Sequence, residues 1–100
     1  MYKIQHHNNV VNVSFFRGYS YAAEQIAIKA ELESGEPWAV YSKCIPDADL
    51  GHDETILDTN NMPEIVSILE KESLVKDTGR KVRSGYCEFS IVKVLVHVAA

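Results

Sequence analysis

The chain has 100 residues, 46% of them hydrophobic and 24% charged, with a formal net charge of −4. That length fits one domain able to bury a core without staples, and the composition excludes a disordered chain. No apolar run approaches the roughly 18 residues of a membrane helix, no apolar segment marks a secretory signal, and two isolated cysteines make no disulfide framework, so a reducing cytoplasm is the expected setting.

Residues 2–5 and 10–17 are β-rich runs separated by His6-His7-Asn8-Asn9. The two asparagines tolerate positive φ, so this segment reads as a hairpin loop. In the second run Val11, Val13 and Phe15 share one face, with Val10, Asn12, Ser14 and Phe16 on the other. Residues 20–34 carry two signals. A helix capped by Ser20 and ended by Gly35 is one reading. The other is a period of two, with Ile26, Ile28, Ala30 and Leu32 on one face. Turn chemistry at Ser34-Gly35-Glu36-Pro37 and the strand-like residues 38–45 favour a hairpin pairing 25–32 with 38–44.

Residues 45–53 are a loop punctuated by Pro46 and Gly51. Residues 54–57 form a short strand, after which Asp58-Thr59-Asn60-Asn61 supply capping side chains for a helix over 63–73. Its apolar stripe is Met62, Ile65, Val66 and Leu69, with Ile68 beside it. Residues 78–85 read as a basic loop bracketed by Gly79 and Gly85. Residues 86–98 form a long final strand, apolar on both faces and therefore central or covered on both sides. The expected fold is α+β: one domain over 1–100, an antiparallel sheet of five to six strands and one helix.

Charge is divided along the chain. Between residues 24 and 72 stand twelve acidic and three basic residues, a balance of −9, and the remainder sums to +5. Such asymmetry can steer a charged partner. The acidic loop after Asp47 fails as a calcium loop, because Gly51 and His52 fall where the fifth ligand and the glycine belong. Cys44 and Cys87 stand alone and His6-His7 lie in a turn, so no zinc set is expected. Neither a Gly-x-Ser-x-Gly elbow nor a glycine loop feeding a helix is present. Nothing brings Cys87 to His52 as a nucleophile and base. The chain is expected to be no enzyme and to hold no metal or cofactor.

Several strings resemble a small domain family of unknown function found on bacterial plasmids, phages and conjugative elements. They are Gln25-Ile26-Ala27-Ile28 leading to Ser34-Gly35-Glu36-Pro37-Trp38, then Asp58-Thr59-Asn60-Asn61, Thr78-Gly79-Arg80 and Ser84-Gly85-Tyr86-Cys87. In this order they cover about residues 24–90, and they support the hairpin over 25–44. The resemblance transfers no catalytic residues. It implies an accessory gene of a mobile element, a class that includes anti-CRISPR inhibitors of host defence.

The leading expectation is a non-enzymatic inhibitor in the host cytoplasm, occluding a nucleic-acid-binding surface of a defence complex. Glu31, Glu33, Glu36, Asp47, Asp49 and Asp53 would stand in for phosphates, and Trp38 would anchor the contact. Two alternatives remain: nucleic-acid binding through Arg80, Lys81 and Arg83, within the basic segment 76–83, or a homo-oligomer paired along residues 92–98.

Overall fold

The computed structural model describes residues 1–17 and 24–99. Seven strands and one short helix follow in the order β1 (Tyr2–His6), β2 (Asn9–Arg17), β3 (Ile26–Leu32), β4 (Pro37–Val40), β5 (Glu54–Leu57), α1 (Ile65–Lys71), β6 (Val75–Ser84) and β7 (Cys87–Val94). The strands form two antiparallel sheets, β1-β2-β3-β4 and β5-β7-β6, rather than one sheet of five to six strands. The α+β class stands and the sheet count does not.

The first sheet has the alternation its sequence carries. Val11, Val13 and Phe15 of β2 face Leu32, Ala30 and Ile28 of β3 across the ladder, and all six side chains point inward. Residues 26–32 are thus strand, with Ile26 and Ile28 fully buried. The Ser20 cap of the alternative helix falls outside the described residues. The β3–β4 pairing is as expected up to Val40, with a register shift after Ala30. Tyr41 then plunges into the core, fully buried, and Ser42 bridges Leu57 at the rim of the second sheet. Burying the phenol ends β4 four residues earlier than the sequence pattern suggests.

The second sheet lies against the first through a shared core that includes Ile65, Leu69, Val75, Val92 and Val94. Each such side chain contributes roughly 1.5–3 kcal/mol by leaving water. The far face of this sheet buries Ile56, Phe89 and Ile91 under Ile45, Ala48 and Leu50 of the loop. The two apolar faces of β7 are therefore explained by its central position and a cover on each side. The strand ends at Val94, and Leu95 is exposed. The tail returns to the first sheet, where Ala99 pairs in parallel with Phe16 beyond the end of β1.

Three further expectations change. Residues 78–85, expected as a basic loop, are instead the greater part of β6 and its turn; β6 is the longest strand among the described residues and lies at the edge of the second sheet. Gly79 takes a φ of 80° between Asp77 and Lys81, where the register shifts, so it serves as a bulge within a strand. The helix is only seven residues, and its N-cap is Glu64, which makes no side-chain cap. The Asp58–Asn61 side chains serve elsewhere: Asn61 bonds Asp58, and Thr59 Oγ1 accepts the Ser90 N–H from the second sheet. Ser73, at a φ of 59°, turns the chain out of the helix into β6.

Candidate functional site

The N-terminal hairpin turns in two residues, because His6 pairs with Asn9. His7, not an asparagine, carries the positive φ of 56°. Histidine is among the residues that tolerate this region, at a cost that glycine avoids. Alternation along β1 puts Tyr2, Ile4 and His6 on the inner face, so the imidazole of His6 is buried with only 3% exposure. A buried histidine ring must find partners for two nitrogens.

Its Nδ1 has two neighbours. The Tyr41 hydroxyl lies at 2.7 Å, and the Trp38 indole N–H donates to it at 3.1 Å. Both rings also meet the imidazole edge-on, at centroid distances of 5.4 and 5.9 Å. The Nε2 atom has no hydrogen-bond partner, and it is the single such buried side-chain atom among the described residues. Beyond it lies Glu64 Oε1 at 3.7 Å, and the same oxygen is 3.5 Å from His7 Nε2. The His7 ring stacks at a tilt on His6, with centroids 4.5 Å apart. Burial, reinforced by the neighbouring His7, pulls the His6 pKa below 6.5 against the opposing influence of Glu64. Burial pushes the Tyr41 phenol up to about 12.

The expected acidic surface is divided by the fold. Glu31, Glu33 and Glu36 sit at the C-terminal end of β3 and in the turn to Trp38, where Leu32 N–H bonds Glu36 O at 2.8 Å. Glu33 pairs with Lys3 at 3.4 Å. Asp47, Asp49 and Asp53 lie at the other end of β3. There Gln25 bonds both backbone groups of Ile45, and Arg17 bonds the His52 carbonyl. A seven-residue strand separates the two acidic groups by about 20 Å. They do not form one patch.

The basic residues are also interleaved with acids. Arg80 forms an ion pair with Glu54 and approaches the Asp49 carbonyl, while Lys93 pairs with Asp53 at 3.6 Å. Lys81 and Arg83 stay exposed along β6, close to a two-residue turn of Gly85 and Tyr86. Tyr86 is fully exposed at that tip.

Glu64 is what the sequence reading missed. It lies 57 positions beyond His7, in a segment read as helix from the capping residues before it and from its apolar stripe, and it becomes the N-cap of α1. Only the placement of the start of α1 beside the hairpin turn shows which side chains it meets.

A family model described as a domain of unknown function, DUF4313, matches residues 16–97. The chain belongs to this family. No significant match was found among curated proteins or solved structures. Trp38, Tyr41 and Glu64 lie within the DUF4313 match, whereas His6 and His7 precede it. Among the described residues no helix is long and apolar enough to cross a membrane.

Proposed function

We propose that this DUF4313 domain is a non-enzymatic binding protein that docks a basic surface of a macromolecular partner through the β3–β4 end of its first sheet. The carrying observation is a groove at the free β4 edge, lined by Lys29, Glu31, Pro37, Trp38, Ala39 and Val40. Trp38 is only partly buried there and Val40 is exposed. An aromatic anchor beside carboxylates suits a partner rich in arginine and lysine. Glu31 and Glu36 supply the charge, and Glu33 joins them when a partner displaces Lys3 from a solvent-exposed pair. Asp47, Asp49 and Asp53 are left out of this surface, being on the opposite end of β3.

The resemblance to domains of mobile elements gives the partner a setting: a nucleic-acid-binding complex of host defence, in the host cytoplasm, whose phosphate sites the carboxylates occupy. The test is a pull-down from host lysate with wild type, Glu31→Lys/Glu36→Lys and Trp38→Ala. The reading expects a nucleoprotein effector bound by the wild type and lost by both variants. Equal retention by all three removes it.

A second reading, nucleic-acid binding, is favoured by one feature, the fully exposed Tyr86 beside Lys81 and Arg83. An aromatic tip next to cations is suited to stacking on an unpaired base. It predicts retention on single-stranded nucleic acid that weakens steeply with salt and with Tyr86→Ala. No binding at low salt excludes it.

A further inference from the structure

We infer that His6, His7 and Glu64 form a binding site for a divalent transition-metal ion of the zinc type. The inference does not rest on the docking surface proposed above.

One donor atom from each of the three residues lies within 4.8 Å of the others. Zinc–nitrogen and zinc–oxygen bonds of about 2.0–2.1 Å in a tetrahedron place neighbouring donors roughly 3.3 Å apart. Glu64 Oε1 lies 3.7 Å from His6 Nε2 and 3.5 Å from His7 Nε2. Closing these two edges takes movements of a few tenths of an ångström, and the edge between the two imidazole nitrogens, at most 4.8 Å long, closes by up to about 1.5 Å as the His7 ring turns. The His7 and Glu64 side chains are 64% and 41% exposed, so they can make them. The same openness leaves a side of the ion to water as the fourth ligand. Two imidazoles and one carboxylate suit zinc, cobalt or nickel better than calcium or magnesium, which favour all-oxygen shells.

His6 Nε2 is buried without a hydrogen-bond partner, although leaving a buried polar atom unpaired costs on the order of 1–3 kcal/mol. The Nδ1 side of the ring explains how that atom becomes a ligand. Trp38 N–H can only donate, so its bond requires a lone pair on Nδ1, which in the neutral ring puts the proton on Nε2. The Tyr41 hydroxyl can also accept. A proton on Nδ1 donated to Tyr41, 2.7 Å away, frees the Nε2 lone pair. A metal selects this second tautomer, and Tyr41 then orients the ring as an outer partner of the ligand. The selection releases Trp38 N–H from Nδ1. Trp38 is the single tryptophan of the chain, so its fluorescence reports the event directly.

The backbone of His7 takes a φ of 56°. A positive φ at a non-glycine residue costs roughly 1–2 kcal/mol. Here it holds the second imidazole against the first, over Glu64.

The test is calorimetric titration of the full chain with zinc chloride, with tryptophan emission followed in parallel. Wild type is expected to bind one ion per chain and to change its Trp38 emission on the same isotherm. His7→Asn keeps a residue that tolerates the turn, and Glu64→Gln keeps the size of the side chain. Each should weaken binding at least about 10-fold, with the circular dichroism spectrum unchanged. No binding by the wild type overturns the inference. So does equal affinity in both variants, which would assign the zinc to His52, His97 or other surface groups.

Discussion

The two tight hairpins of this domain solve one problem in opposite ways. Each closes with two residues, and each puts a positive φ on the first of them alone, the sign pattern of a type II′ turn. At the tip of β6–β7 that residue is Gly85, for which the conformation is free, and Tyr86 beside it hangs fully in solvent. At the tip of β1–β2 it is His7, which bears a conformational cost and lies against His6 and Glu64. The glycine turn closes its hairpin without conformational cost. The histidine turn accepts strain to bring a side chain to a particular place, and strain of that kind gathers where binding or chemistry happens.

The largest effect should come from the phenol under the histidine turn. Burial pushes the Tyr41 phenol from its ordinary value of 10 up to about 12 in the folded chain. Its contribution is therefore fully present below pH 10 and is lost as the pH rises toward 12. Integrated over that window it is on the order of 2 kcal/mol. Urea melts at successive pH values should show this loss in wild type, and Tyr41→Phe should abolish it. A wild-type midpoint insensitive to pH between 10 and 12 would mean that the phenol is not buried as described.

Next in size is the glycine turn. A Cβ at Gly85 would meet nothing within 4 Å, so a substitution there is opposed by backbone conformation alone. Gly85→Val should lower stability by about 1–2 kcal/mol in denaturant melts. No loss would show that the turn readily adopts another form.

The histidine turn should behave in the opposite sense. Of His7→Gly and His7→Ala, the glycine variant should be the more stable by about 1 kcal/mol, because alanine keeps the strained φ and glycine relieves it. If the order reverses, His7 is not strained and the contrast between the hairpins disappears. The smallest effect belongs to Tyr86→Ala. A side chain with no buried area should change stability by less than about 0.5 kcal/mol, so any loss of nucleic-acid retention in that variant would reflect contact rather than folding.

The same contrast separates what was legible in the sequence from what was not. Local alternation carried β2 and β3, since Val11, Val13, Phe15 and Ile26, Ile28, Ala30 each declare one inward face. The β3–β4 turn followed from Ser34-Gly35-Glu36-Pro37. Strand β6 was hidden because its edge position leaves mostly exposed charges, with Val82 as one of few apolar markers. An edge strand dressed in lysine and arginine resists pairing with other chains, and it looks like a loop for that reason. The acidic cluster dissolved because charge counts along a chain say nothing about the two ends of a strand. The histidine site was invisible for a similar reason. His6 and His7 were noticed as a turn, but Glu64, Trp38 and Tyr41 reach them only through long-range packing.

The most direct test of the central claim, that the strained hairpin serves a cation site, is a zinc-soaked crystal measured at the zinc absorption edge. The account predicts one anomalous peak per chain, bonded to His6 Nε2, to His7 and to Glu64, with Trp38 N–H turned from His6. A peak at other residues, or none at these three at full zinc saturation, would contradict it.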